Sequence, residues 1–347
     1  MRCLALADAL RASGANCTFV CRTHTGHLLN LIRQRGHTGI ALSSGTHLPL
    51  TTQDTSPSHA SWLGTDWASD AEATQYALNE TMPDWLIVDH YALDANWEKT
   101  MRPHCGRLMV IDDLADRPHD CNLLLDQNLG RTAQDYSHRI PHTATMLIGP
   151  QYALLRPEFA TLRTESLARR KHPKLQHLLI TLGGTDPDNV TEQVLHALCN
   201  CTLPRELHIT VVMGAHAPWL EQVQTTANTM PRPTRVLVNV THMAELMTSS
   251  DLCIGAAGGT AWERCCLGLP SLILALADNQ QAGALALHMN GAALLFRTKE
   301  DLEVLMQNPL LSGENPTLLD QLSFAAAGVT SGNGLSCVIQ ELEHLHA

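Results

Sequence analysis

An apolar run that ends in glycines and opens directly into a helix limits what a chain can fold into, and residues 251–270, DLCIGAAGGTAWERCCLGLP, have that form. Leu252 to Ile254 reads as a buried strand. Gly255, Ala256, Ala257, Gly258 and Gly259 follow, where side chains are small and the backbone can turn tightly. Thr260 to Leu267 suits a helix, with Thr260 near its start, Glu263 one turn in, and Gly268-Leu269-Pro270 closing it. Strand, glycine turn and helix start together leave main-chain N–H groups unpaired beside the positive end of a helix dipole, so an anion can sit there. Glu263 would face the same mouth, where a carboxylate can accept hydrogen bonds from sugar hydroxyls. The plain alternative is a tight turn in an ordinary strand–helix unit.

The rest of the second half repeats the pattern. His177 to Leu182 predicts a strand running into Gly183-Gly184-Thr185-Asp186, with Pro187 opening a helix to about Leu198. Leu207 to Met213 and Arg235 to Val238 read as further strands. Thr241 is the expected N-cap of a helix containing Met243 and Glu245. Ser271 to Ala277 ends at Asp278-Asn279-Gln280-Gln281, which starts an alanine-rich helix, and the tail from about Thr317 is mostly helical.

The first half opens on a helix, Met1 to Ala12, closed at Gly14. A strand at Cys17 to Cys21, a helix from about Gly26 to Arg35 and a short apolar segment near Ile40 follow. Residues 43–61, rich in Ser, Thr and Pro, read as a surface loop. The strand Trp85 to Val88 then runs into Asp89-His90-Tyr91, and Leu108 to Ile111 runs into Asp112-Asp113. Parallel sheets build sites at the carboxyl ends of their strands. Asp89, His90, Tyr91, Asp112 and Asp113 are therefore candidates for catalysis or substrate binding, although Asp also caps helices. Arg156, before Pro157, can touch a phosphate or pair with a surface acid. The expected division is 1–155 for a first domain, 156–175 for a charged linker, and 176–347 for a second domain with a helical tail. The cleft between two such α/β domains is the expected site.

Composition excludes several classes. With 347 residues and 44% hydrophobic residues, two buried cores are affordable. No apolar run approaches the ~20 residues that span a bilayer, and no leader is visible, so a cytoplasmic protein with no membrane partner is expected. A net charge of −11 without a Lys/Arg stripe argues against nucleic acid. The 11 cysteines lack any C-x-x-C pair, and no H-E-x-x-H occurs, so neither a zinc site nor any other metal or cofactor is expected and most thiols should be buried. The G-x-G-x-x-G and G-x-x-x-x-G-K-[ST] fingerprints are also absent.

The segments MRCLALADAL, VDHYALDANWE, VIDDLADRPHDCNLLLDQN, YALLRPEF, LITLGGTDPDN and GAAGGTAWERCCLGLPSL occur in an order that closely resembles the UDP-2,4-diacetamido-2,4,6-trideoxy-beta-L-altropyranose hydrolases (PseG) of pseudaminic acid biosynthesis. The resemblance spans nearly the whole chain. It implies an α/β fold of two Rossmann-like domains, glycosyltransferase-B type, and metal-independent hydrolysis of a UDP-sugar by water with inversion and release of UDP, in the service of flagellin glycosylation. It further implies that Gly184, Thr185, Gly258, Gly259 and Thr260 lie near the diphosphate, Glu263 at the ribose and Met243 at the uracil. Arg156, Asn279 and Gln280 would line the substrate, with Tyr91 and His90 on the catalytic side. The family also carries a G-x-G-H-x-x-R turn before the first helix, whose histidine activates water. Of that turn only Met1 and Arg2 are present, so the first strand and the base are expected to be missing and hydrolysis to be slow. A glycosyltransferase of the same fold, a UDP-sugar 2-epimerase and a non-catalytic UDP-sugar-binding protein remain open alternatives.

Overall fold

The computed structural model describes residues 1–43, 57–79, 81–312 and 317–346. Most of the Ser/Thr/Pro segment expected as a surface loop, residues 44–56, lies outside the described residues. Two compact units divide the chain: Met1–Leu154 with Gly334–Ala347, and Leu155–Asn333.

In the first unit, β1 (Thr18–Arg22) and β2 (Thr38–Leu42) form a parallel pair. A separate four-stranded parallel sheet has the order β3-β4-β5-β6, from Trp85–Val88, Arg107–Ile111, Leu123–Asp126 and Thr145–Ile148. Its strands are almost wholly apolar because both faces are covered. Leu108, Val110 and Leu124 face one core with Trp97 and Met101. Met109, Ile111, Leu123 and Leu125 face another with Leu6, Leu335 and Val338. Successive side chains thus enter opposite cores, as the strand period of two requires.

The second unit holds one six-stranded parallel sheet. Its strands are β7 (His177–Thr181), β8 (His208–Met213), β9 (Thr234–Val238), β10 (Leu252–Ala256), β11 (Ser271–Leu274) and β12 (Leu294–Leu295), in the order β12-β11-β10-β7-β8-β9. The chain builds outward from β7 through β8 to β9, then returns to the other side of β7 with β10. The direction of winding therefore reverses between β7 and β10, and a crevice opens at their carboxyl ends.

Two boundary expectations are corrected. Residues 156–175 are not a linker but carry the helix Pro157–Arg169, packed within the second unit. Its charges look solvated in sequence, yet Arg163 donates to the Cys266 and Ala327 carbonyls, and Arg170 to those of Leu267, Ser250 and Met247. Cations on the last carbonyls of neighbouring helices satisfy acceptors that have no partner inside their own helix. Burial pushes the Arg170 guanidinium down to about 9. The tail is also divided: Thr317–Val329 stays in the second unit, while Gly334–His346 packs into the first. A Cβ at Gly334 would stand 2.4 Å from the Ala153 carbonyl oxygen, so only glycine lets the last helix begin so close to that backbone. Within residues 317–346 one 18-residue window is apolar enough for a membrane span, with mean hydropathy 1.3. The break between Val329 and Gly334 nevertheless leaves two helices of 13 residues each, short of the ~20 a bilayer needs.

Candidate functional site

β7 and β10 are hydrogen-bonded neighbours, with Thr181 opposite Gly255, so the turns that follow them emerge side by side. Among the described residues, the main-chain N–H groups of Gly183, Gly184 and Thr185 on one turn, and of Gly258, Gly259 and Thr260 on the other, donate to no acceptor. Glycines here serve two separate purposes. A Cβ at Gly183, Gly184 or Gly259 would meet nothing within 4 Å, and one at Gly258 only the Gln280 amide nitrogen at 3.6 Å. Those positions border open space. At Gly255 a Cβ would fall 2.7 Å from Arg264 Nη1, and at Gly214 2.3 Å from the Gly184 oxygen, so these two are required by internal packing.

Arg264, which sequence reasoning missed, lies beneath the second turn and is 1% exposed. Nη2 donates to the Ala256 carbonyl at 2.7 Å and Nη1 to Thr260 Oγ1 at 3.2 Å. Its Nε finds no acceptor, and no described carboxylate pairs with the guanidinium. A buried cation without a counter-charge is costly unless an anion completes it. The sequence signal was present: Arg264 stands four residues after Thr260, hence on the same helix face, amid residues that are otherwise buried.

Glu263 is confined beside this turn, and burial pushes its carboxyl above the ordinary range despite Arg156 nearby. Arg156 Nη2 stands 3.6 Å from Glu263 Oε1, and Nη1 is 2.9 Å from Glu158. Arg156 is thus engaged by two acids and stacked on Phe159 at 5.1 Å, which is the ion-pair alternative to a phosphate contact. Asn279 and Gln280 belong to the turn Asp278–Gln280 after β11. Gln280 Oε1 accepts from the Leu276 N–H at 3.0 Å, which aims its NH2 end at Gly258. Met243 begins the helix Met243–Ser249 after β9, three strands from β10 and so about 14 Å away at ordinary strand spacing.

The helix-dipole expectation needs revision. Helix Thr260–Cys266 has only two turns, so its macrodipole is small. The other glycine turn does not lead into a helix at Pro187. Asp186 adopts φ 41°, and its carboxylate accepts the Val190 and Thr191 N–H groups at 2.9 Å, filling the start of helix Val190–Cys199 itself. His242, not Thr241, precedes the Met243 helix, without a side-chain cap. Positive potential at these turns therefore comes from free N–H groups and Arg264.

In the first unit the strand-end acids are already paired. Arg2 bonds Asp89 at 2.6 Å and reaches Asp113 at 2.8 Å, and Tyr91 donates to Asp113 at 2.7 Å. Burial acts to raise the Asp89 carboxyl, but the guanidinium outweighs it and holds Asp89 below the usual range. Burial and Asp113 push the Tyr91 phenol far up, so it remains a neutral donor. His90 accepts the Ala92 N–H on Nδ1, which puts the ring proton of the neutral form on Nε2. Burial lowers its tendency to protonate, and its free lone pair is occupied, so His90 is placed to donate rather than to act as a base. Asp112 is no surface candidate. Fully buried, it accepts from Arg117, the Ala115 N–H and Tyr136, and it serves the fold.

Among the described residues no three His, Cys, Asp or Glu side chains gather closely enough to hold a metal. The thiols are less buried than composition suggests: Cys105, Cys121, Cys253, Cys265 and Cys266 are buried, whereas Cys199 and Cys337 are exposed.

Comparison with known proteins adds to this geometry. Residues 177–321 match the glycosyltransferase family 28 C-terminal domain. Over 201 residues the chain is 28% identical to the uncharacterized protein MJ1062 of Methanocaldococcus jannaschii, covering 57% of this chain and 41% of that protein, less than half its length. It is 27% identical over 220 residues to the UDP-2,4-diacetamido-2,4,6-trideoxy-beta-L-altropyranose hydrolase of Campylobacter jejuni, covering 63% of this chain and 76% of the hydrolase. In structure it is similar to the UDP-GlcNAc 2-epimerase of Neisseria meningitidis bound to UDP-GlcNAc, with TM-score 0.66 and 12% identity over 99% of this chain and 98% of the epimerase. The fold is the glycosyltransferase-B type, two α/β units with parallel sheets.

Proposed function

We propose that this chain is an enzyme acting on a UDP-sugar, with the pyrophosphate held at the paired glycine turns of the second unit. The observation that carries the reading is the set of free N–H groups at 183–185 and 258–260, backed by a buried guanidinium with no carboxylate partner. Main-chain donors fixed before binding cost no reorganisation, and in a shielded site each is worth more than in water. Glu263 suits the ribose hydroxyls, Gln280 and Asn279 the adjoining polar groups, Thr185 and Thr260 the phosphate edge, and the Met243 backbone the base. Arg156 holds Glu263 in place and does not itself take the phosphate.

Within this reading the reaction is hydrolysis, as the name of the Campylobacter relative states for that protein, and we place it at the anomeric carbon. UDP-2,4-diacetamido-2,4,6-trideoxy-beta-L-altropyranose is the proposed substrate, water the second reactant, and the cytoplasm the compartment. Inversion requires water to be oriented opposite the leaving group and the departing diphosphate to be stabilised. The turns supply the second requirement. For the first, the His90 Nε2–H offers a donor and the Tyr91 hydroxyl oxygen an acceptor that orient, while Asp89 and Asp113 are both held in ion pairs with Arg2. Slow turnover, insensitive to chelators, is therefore expected.

Calorimetric titration of the full chain with UDP tests the binding reading, and absence of saturable heat overturns it. Release of UDP from the nucleotide sugar with incorporation of oxygen from labelled water at the sugar's C1 tests the reaction. Transfer to an acceptor in preference to water would favour a glycosyltransferase, in keeping with the family 28 domain match.

A further inference from the structure

Three rings of the first unit form a cluster that the proposed chemistry uses only in part. The ring centroids of His59 and Trp62 are 4.5 Å apart, those of His59 and Tyr91 5.8 Å, and those of Trp62 and Tyr91 5.9 Å, with tilted planes. Trp62 is 53% exposed, but its backbone is well anchored. The turn Ala60–Leu63 is held from below by Leu63, which is 5% exposed in the core, and by His24 Nε2 at 3.2 Å from the Leu63 carbonyl. Ser58 donates to Asp116 at 3.0 Å on one side. On the other, Gly64 closes the turn at φ 74°, where a Cβ would press on His24 at 2.5 Å. The indole is thus displayed from a pinned turn, and among the described residues its N–H has no acceptor.

Tyr91 connects these rings to Asp113, which with Asp89 is partly open to solvent, at 15% and 26% side-chain exposure. An aromatic face bordered by carboxylates matches a pyranose ring: C–H bonds on one sugar face pack on the π surface, and hydroxyl or amide N–H groups at the ring edge donate to the acids. A nucleic-acid strand would also stack, but its phosphates would meet Asp89, Asp113 and Asp116 on a chain of net charge −11. Other exposed aromatics, Trp67, Tyr76, Trp219 and Phe324, make no ring contact with a described residue.

We propose that His59, Trp62 and Tyr91 are a sugar platform, with Trp62 the specificity-determining stacking residue and Asp113 and Asp89 the acceptors at the ring edge. The inference rests on the UDP-sugar reading for the class of ligand, and the test separates the two. Saturation-transfer NMR on the full chain with UDP-N-acetylglucosamine reports uridine and sugar protons independently, and methyl N-acetylglucosaminide serves as a probe without nucleotide. Trp62→Ala is expected to cut saturation of the methyl N-acetylglucosaminide protons at least threefold and to weaken that glycoside five- to tenfold. Affinity for UDP alone should be unchanged. Trp62→Phe should keep most of the sugar signal, and Trp67→Ala all of it. Sugar saturation that is absent from the wild type, or that persists undiminished in Trp62→Ala, overturns the platform. Uridine protons that stay dark while the methyl glycoside behaves as expected overturn the nucleotide reading and leave the platform standing.

Discussion

The two units use the same alternation of strand and helix to different ends. In the second, six strands form one sheet, and the reversal of winding between β7 and β10 brings two glycine turns together with their N–H groups unspent. In the first, the described strands divide into a pair and a sheet of four, and the polar groups at the strand ends are partly paired with one another: Arg2 takes Asp89 and Asp113, and Tyr91 takes Asp113. One unit keeps donors in reserve, the other has acids in ion pairs. Strand-end polarity therefore marks where a site can be, and only the remaining hydrogen-bonding capacity shows what it can bind.

The largest effect expected from this contrast is on stability. Burial pushes the Asp126 carboxyl in the first unit up to about 6, next to Tyr136 and with Arg131 at 3.5 Å. A carboxyl raised on folding favours the fold below its unfolded value near 3.8 and loses that contribution as pH rises through about 6. The loss is of order 3 kcal/mol at most. Hydrogen exchange at β5 should thus show protection falling between pH 4 and 6 relative to Asp126→Asn, with no such difference at β7; equal slopes in both variants would remove the contrast.

Next comes ligand affinity in the second unit. Gly184→Val places its side chain where the protein has nothing, so the melting temperature should hold within about 2 °C while UDP affinity falls about 30-fold, or ~2 kcal/mol. Retained affinity in calorimetry would mean that the diphosphate lies elsewhere. Glu263→Ala and Arg264→Met should each weaken UDP about tenfold. Arg264→Met should differ in keeping stability within about 1 kcal/mol of wild type, because the loss of two hydrogen bonds is offset by relief of an unpaired buried charge. A urea midpoint that collapses would make Arg264 a purely structural residue. The smallest effect on nucleotide affinity belongs to Tyr91→Phe, which removes one bond to an ionised acid at a stability cost of about 1–2 kcal/mol and should leave UDP binding untouched. A change in UDP affinity there would break the division of labour between the units.

Much of this was readable from residues alone, for reasons that vary by place. Strands such as HLLIT and SLIL are built round short apolar runs, LLI and LIL, covered on both faces, so composition suffices to find them. The helix Trp67–Leu78 has Asp66 accepting from the Ser69 N–H at its start and Asn79 at φ 47° at its end, both local signals. Residues 156–175 failed as a linker because Arg163 and Arg170 meet carbonyls about a hundred residues away, which no window along the chain contains. Asp112 and Asp113 are adjacent and chemically alike, yet one is buried under Arg117 and Tyr136 and the other faces the strand ends.

Local order in the chain determined the elements, the parallel class of the sheets and the two glycine turns, because hydrophobic period and glycine placement act over a few residues. Tertiary structure alone decided which polar groups are left unsatisfied. Whether Arg156 is paired, whether Asp186 fills its own helix start, and whether Arg264 lies without a directly bonded carboxylate beneath Gly258-Gly259-Thr260 depend on partners brought near by sheet order. Electrostatic and hydrogen-bonding balance is a property of neighbours in space, and sequence distance does not encode it.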